Sequence, residues 1–249
     1  MFNPMSLEGK RILITGASSG IGAACAKVAS KLGAFVCMVA RNADKLASVQ
    51  SSLESPARSC IIPLDLTNFT QEQFVEMGKF DGFVHAAGIS PMIPVRFTTE
   101  EKIMQVMKVN YFAFVALMGL LAQPKFHNKP FSAVAISSTS ALCGVSGGTA
   151  YCGSKGALSS SVRALAVELA KKSIRVNTVC PSMVRTPMFE KGVLGGAACD
   201  EGTLARIEAR QLLGIGSPEQ IANAVCFLLS DAASFITGTD LLVDGGKLA

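Results

Sequence analysis

Tyr151 and Lys155 stand four residues apart at the head of a strongly helical stretch, 157–170. Positions i and i+4 share one face of a helix, so a phenol and an ammonium at this spacing point into the same cleft. A free tyrosine titrates near about pH 10. A nearby ammonium stabilises the phenolate and draws that value toward working pH, which makes the phenol a usable proton donor. Taken alone, the pair also fits an ordinary surface of a helix. A second chemistry lies upstream, in Thr15-Gly16-Ala17-Ser18-Ser19-Gly20-Ile21-Gly22. Glycines in such a turn let the backbone approach a pyrophosphate, and the helix that opens behind them offers free N–H groups and a partial positive charge. The spacing is G-x-x-x-G-x-G rather than the commoner G-x-G-x-x-G. Gly16, Ser18, Ser19, Gly20, Ile21 and Gly22 are therefore candidate cofactor contacts, although a plain strand-to-helix turn has the same composition. The second strand candidate ends in Ala40-Arg41. Dinucleotide sites for NAD(H) place a carboxylate there to accept from the adenosine ribose hydroxyls. A guanidinium suits a 2′-phosphate instead, which favours NADP(H) over NAD(H).

These groups need elements to hold them. Short runs apolar on both faces recur at 11–15, 35–40, 60–64, 82–85, 132–137, 175–179 and 240–243, as strands covered on two sides require. Helical patterns separate them. Thr70-x-x-Gln73 and Thr98-x-x-Glu101 read as capping boxes, and Ser217-Pro218-Glu219-Gln220 adds proline at the first helical position. Repeated strand–helix–strand units imply an α/β fold: a single Rossmann-like, doubly wound domain over residues 1–249, with about seven parallel strands and helices on both faces. From 187 to 216 the rhythm loosens around Gly192, Gly195, Gly196 and Gly202. Ligands in open α/β sheets bind beyond the strands' carboxyl ends, so this segment is placed to act as a substrate lid.

Composition narrows the field. The chain has 249 residues, 49% of them hydrophobic and 16% charged, too apolar for disorder and sufficient for a buried core. A net charge of +5 without a long basic run is no nucleic-acid footprint. Eight cysteines without a CxxC pair, beside only His85 and His127, exclude a zinc ribbon or a His-rich metal site and point to a reducing compartment. No metal is expected. The most apolar run, 112–122, is short of a membrane span, and no apolar leader follows Met1. The expectation is a cytoplasmic protein with no membrane partner.

In this order along the chain, Thr15–Gly22, Asp65-Leu66, Ala87-Gly88, Asn110, Ser138, Tyr151 with Lys155, Pro181, Thr186 and Asp244-Gly245-Gly246 resemble the motifs of short-chain dehydrogenases/reductases. The similarity runs from about Leu7 to Lys247. The resemblance implies that Tyr151 protonates a carbonyl oxygen as hydride arrives. It implies that Ser138, thirteen residues earlier, hydrogen-bonds the same oxygen; Ser137 is the alternative. Lys155 would hold the nicotinamide ribose, and Asn110 would interrupt its helix and hold a relay water. Asp65 and Leu66 would approach the adenine. Ala87, Gly88, Pro181, Val184 and Thr186 would line the cofactor, Thr186 at the carboxamide. A homotetramer is implied as well; the nearly all-apolar stretches 109–121 and 157–169 are consistent with buried interfaces.

Within that family the chain most resembles 3-oxoacyl-[acyl-carrier-protein] reductases, which reduce a β-keto thioester with NADPH in fatty acid biosynthesis. Reductases of steroids, sugars and small ketones are the near alternatives, and a catalytically idle NADP(H)-binding protein the remote one. Lys125, Lys129, Lys171, Lys172 and Arg175 could dock an acidic acyl carrier. Met183, Val184, Met188, Phe189, Val193 and Leu194 suit an apolar substrate, or a cover for the cofactor. Two departures stand out. The family's Asn-Asn-Ala-Gly reads His85-Ala86-Ala87-Gly88 here, with His85 expected as a structural replacement. The helix between Asp65 and the fourth strand reads about two turns short.

Overall fold

The computed structural model describes residues 3–190, 205 and 209–249. Seven strands form one sheet: β1 (Arg11–Thr15), β2 (Phe35–Ala40), β3 (Ser59–Pro63), β4 (Phe80–His85), β5 (His127–Ile136), β6 (Ile174–Pro181) and β7 (Asp240–Val243). All pairs are parallel and the order is β3-β2-β1-β4-β5-β6-β7. The chain thus winds outward in both directions from β1, leaving a crevice between the carboxyl ends of β1 and β4. Three strands match their sequence-predicted bounds, and β4, β5 and β6 are longer, because backbone pairing continues past the apolar run.

Alternation along the strands sorts the core into two layers. Ile12, Ile14, Val36, Met38, Val84 and Val134 pack with Cys25 and Ala29 of helix α1 (Gly20–Lys31) and with Ile221, Val225 and Cys226 near the end of the chain. Leu13, Val39, Phe83, Ala133 and Val176 face the other way, onto Phe114, Leu117, Met118, Leu158 and Val162. On the edge beside β2 lies α2 (Ala43–Ser51), capped by Asn42, whose side chain accepts from the Lys45 N–H at 2.8 Å. The link from β3 to β4 holds only α3 (Glu72–Val75), the shortened helix the sequence predicts. There Gln73 accepts from the Thr70 N–H at 2.8 Å, one half of the expected capping box.

The long helix of the second layer has three parts: α4 (Glu100–Met107), a π-helical turn (Lys108–Phe112) and α5 (Ala113–Leu121). Its cap is Thr99, which accepts from the Lys102 N–H; Thr98 instead donates to Ile93 and Pro94 carbonyls, so the expected box does not form and the cap falls one residue later. Taken as 22 residues, Glu100–Leu121 reaches the length and hydropathy of a membrane span by composition, a longer apolar helix than the run 112–122 suggests. Its buried stripe, Phe114, Leu117, Met118 and Leu121, covers the sheet. Helix α6 (Thr149–Leu169) lies beside it, α7 (Pro187–Phe189) follows β6, and α8 (Pro218–Leu229) closes the first layer against α1. The Ser217–Gln220 capping box of α8 is complete.

Candidate active site

Each strand of this sheet delivers its carboxyl end to one cleft of about 1560 Å³, large enough for a dinucleotide and a substrate together. Gly16, Ser18–Gly22, Arg41, Asp65, Leu66, Ala87, Gly88, Ser138, Tyr151, Lys155, Pro181, Val184 and Thr186 all line it. Every candidate residue is thereby brought to one place except Asn110, which sits directly behind the wall.

The glycine turn is built for close approach. Gly16 has φ +67°, and a Cβ there would stand 2.7 Å from the Ala86 and Ala87 backbone. On Gly22 a Cβ would lie 2.3 Å from the Gly16 carbonyl oxygen. Larger residues would therefore force the turn off the β1–β4 crevice. Ser19 occupies the N-cap of α1 without a side-chain cap bond, so the first-turn N–H groups face the cleft as an anion site requires. Thr186 crosses from the far side, with its Cγ2 3.4 Å from where a Gly20 Cβ would be. Arg41 is exposed at the end of β2 and makes no ion pair among the described residues. Lys45, one turn into α2, lines the same corner. The sequence reading missed this second cation; Asn42 as a cap three residues earlier was the signal, since it fixes the first turn of α2 over the cleft. Asp65 is held ionised, chiefly by the Thr67 N–H and hydroxyl, with Arg41 adding to it. These residues fit a nicotinamide dinucleotide: a cradle no Cβ can enter and a free helix terminus, with two cations beside the end of β2.

At the other end, β5 runs into Ser138, whose Oγ caps the next turn by accepting from the Ser140 N–H at 3.0 Å. Ser137 also lines the cleft, but its hydroxyl is taken up by hydrogen bonds with the Lys155 carbonyl and Ser159. Ser138 is the serine that acts on the Tyr151 phenol, lowering its pKa against burial. Burial raises the Tyr151 phenol above its ordinary value, and the Ser138 hydroxyl opposes this only in part. Lys155 is 4% exposed. Its Nζ donates to the Ile136 carbonyl at 2.7 Å and lies 5.8 Å from the Tyr151 ring centroid. Burial brings its ammonium down to about 8. The expectation that Lys155 draws the phenol down is thus not met: the ammonium is turned to a backbone carbonyl, and desolvation governs both groups. At neutral pH the pair is a neutral phenol beside an ammonium, the proton-loaded state.

Asn110 lies in the π-helical turn, fully buried. Its side chain accepts from the Ile89 N–H at 2.8 Å and donates to the Ile89 carbonyl and to Ser154 Oγ, each at 3.0 Å. The wider turn is the interruption that the resemblance implies, and it ties the loop after β4 to α6. Gly88 fits between: a Cβ there would stand 3.3 Å from Asn110 Oδ1 and 3.6 Å from Lys155 Nζ. His85 lies under this turn, within 3.1 Å of Thr15 Oγ1 through Nδ1. It bridges β1 and β4 as a structural replacement should. Burial lowers its pKa to about 3, so it stays neutral and is no base.

Two expectations need correction. Arg175 is not part of a docking face, because its guanidinium donates to the carbonyls of Ile236, Leu228 and Ser230. Lys125, Lys129, Lys171 and Lys172 are exposed, but they follow α5 and α6 into the amino ends of β5 and β6. They therefore lie at the sheet edge opposite the cleft. Of the expected lid, Pro187–Phe189 and residues 209–216 bound the cleft region, with Met188, Phe189, Arg210 and Gln211 in its lining. Val193, Leu194 and the lid glycines Gly192, Gly195, Gly196 and Gly202 lie outside the described residues.

A family model described as enoyl-(acyl carrier protein) reductase matches residues 16–247. A 3-oxoacyl-[acyl-carrier-protein] reductase of Rickettsia felis is 34% identical over 98% of this chain and 99% of its own. The chain belongs to the short-chain dehydrogenase/reductase family. It is an NAD(P)-dependent oxidoreductase. An L-rhamnose 1-dehydrogenase (NAD(P)(+)) of a Sphingomonas species is 33% identical, over 96% of both chains. Among solved structures, a 7α-hydroxysteroid dehydrogenase complexed with NADH and 7-oxo glycochenodeoxycholic acid superposes with a TM-score of 0.89 at 28% identity, covering 99% of this chain and 98% of that one. Thioester, sugar and steroid enzymes thus resemble it about equally.

Proposed function

We propose that this protein is an NADPH-dependent carbonyl reductase acting on a 3-oxoacyl thioester. The observation that carries the cofactor choice is Ala40-Arg41 with Lys45 at the corner of the cleft, where no carboxylate stands at the end of β2. A charge-assisted bond is worth roughly 1.5–3 kcal/mol, on the order of ten- to a hundredfold in affinity. The thioester choice rests on the 3-oxoacyl relative and on the apolar wall formed by Met92, Val145, Met183, Met188 and Phe189. Lys108, Arg210 and Lys247 line the cleft mouth, where an acidic acyl carrier would present its thioester. A sugar or steroid ketone is the second reading, supported by the relatives named above.

The bound nicotinamide supplies hydride. Ser138 and Tyr151 both line the cleft, so a carbonyl oxygen seated between their hydroxyls would meet two donors as negative charge develops on it. Tyr151 gives up the proton. Lys155, held beside it by the Ile136 carbonyl, would hold the nicotinamide ribose. Asn110 keeps the loop after β4 and α6 in register, which fixes Lys155 against the floor of the cleft. The setting we propose is cytoplasmic, in keeping with cysteines that are all free among the described residues. The assembly we propose is a homotetramer, supported by exposed Ile103, Met104, Phe112, Val115 and Val167 on the long helices.

The test is an absorbance assay at the reduced-nicotinamide band, pairing NADPH and NADH with an acetoacetyl thioester, a sugar ketone and a steroid ketone. The reading predicts the highest kcat/KM for NADPH with the thioester. Preference for NADH, or for either other ketone, would contradict it.

A further inference from the structure

The edge of the sheet carries two sulfurs that the reduction does not use. Cys37 on β2 and Cys60 on β3 are register partners. Partners on adjacent strands point to the same face, and the strands run about 4.8 Å apart, inside the range of about 4.4–6.8 Å between Cα atoms that a disulfide spans. Both thiols are free, and as register partners they face the same side of the sheet. Cys37 is fully buried. Cys60 is half-buried, because β3 ends the sheet and the link that would cover it is reduced to four-residue α3, with Val75 left 55% exposed.

Arg11 of β1 adds a charge on the same face. Its guanidinium lies over the Phe35 ring, 4.2 Å from the centroid, and its Nε is buried without a hydrogen-bond partner. No ion pair engages it among the described residues. A cation near a thiol favours the thiolate. The neighbouring Cys37 thiol brings Cys60 down to about 7; burial opposes this and Arg11 assists it. Cys37 itself is pushed up by Cys60 and by burial. One sulfur is poised as nucleophile, the other as its proton-bearing neighbour.

We propose that Cys60 is a peroxide-reactive thiol resolved by Cys37, so that oxidation by a hydroperoxide staples β3 to β2. In the first step the Cys60 thiolate attacks one peroxide oxygen, the O–O bond breaks, and the departing oxygen leaves as hydroxide and takes up a proton. Cys60 becomes a sulfenic acid, oxidised by two electrons as the peroxide is reduced. The Cys37 sulfur then attacks the Cys60 sulfur. The S–O bond breaks, and the leaving hydroxide carries off the Cys37 proton as water. The staple sits within β2 and β3, three residues back from Ala40 and four back from Leu64, and Ala40-Arg41 and Leu64-Asp65 line the cleft. Nothing in this depends on which ketone the enzyme reduces.

The experiment treats the reduced full-length protein with a small excess of hydrogen peroxide at neutral pH. Remaining thiols are then alkylated, and the peptides mapped without reductant. A peptide pair joined through Cys37 and Cys60 is expected before oxidation of Cys143 or Cys152, which are also part-exposed. In Cys37→Ser the Cys60 sulfenic acid should accumulate and be trapped by dimedone. Alkylation of wild-type Cys60 should reach half its maximal rate below about pH 8.5, the ordinary thiol value, and Arg11→Met should raise that midpoint. Oxidation that begins at another cysteine, no 37–60 peptide, or a wild-type midpoint at the ordinary value would each overturn the proposal.

Discussion

Lys155 holds a charge at 4% exposure, and its ammonium is brought down to about 8 by burial. The unfolded chain keeps the ordinary value near about 10.5, and each pH unit between the two is worth about 1.4 kcal/mol. At neutral pH both states are protonated, so the fold carries a penalty of roughly 3 kcal/mol. As pH rises from about 8 to 10.5 the folded lysine sheds its proton first, and that penalty shrinks. Lys155→Met is therefore expected to raise the melting temperature at pH 7 while abolishing turnover, and the gain should fade above about pH 10; a lower melting temperature at pH 7 would refute this. His85 has the opposite window. Its imidazole, brought down to about 3 by burial, stays neutral while the unfolded chain protonates below about pH 6.5, so stability falls by up to about 1.4 kcal/mol per unit in acid. His85→Asn should flatten that slope in denaturant titrations between about pH 6 and 4, and an unchanged slope would contradict a neutral buried imidazole. Arg41→Ala should raise KM for NADPH roughly ten- to a hundredfold with little change for NADH; equal effects on both cofactors would mean that the guanidinium does not read the 2′-phosphate.

At the scale of elements, the two-layer core and the cap chemistry are testable separately. Phe114 of α5 is fully buried and stacks on Phe83 at 6.2 Å between centroids, so Phe114→Ala should cost about 3–5 kcal/mol in urea unfolding. Ser217→Ala removes one arm of a complete capping box and should cost only about 1 kcal/mol. Strands β1, β2 and β7 were legible to the residue because their apolar runs end in Gly, Arg or Asp. The extra length of β5 and β6 was not, because His127 or Cys180 and Pro181 pair through the backbone, which side-chain pattern does not report. The capping boxes show the same limit. Thr98 and Thr99 are adjacent and chemically alike, and only the backbone geometry chooses Thr99 as the cap.

For the molecule as a whole, most of the cleft could be read in advance because it is assembled from the ends of strands, and a parallel sheet sends every carboxyl end to the same side. Asn110 was legible as an interruption, and the π-helical turn supplies it. The ammonium–phenol relation was not, since i and i+4 spacing fixes a shared face but says nothing of the Ile136 carbonyl that holds Lys155. The docking lysines failed for a topological reason: charge near a helix end was visible, but which edge of the sheet that end reaches depends on the winding. Light scattering at micromolar concentration should give a particle about four times 26 kDa, and a 26 kDa monomer would contradict the proposed assembly. The account as a whole rests on Tyr151 as the proton donor, and Tyr151→Phe addresses it most directly. In the variant, NADPH binding measured by fluorescence titration should stay within a few-fold of wild type while single-turnover reduction of the acetoacetyl thioester slows by about 10²–10⁴. Undiminished turnover with the phenol gone would contradict the account at its centre.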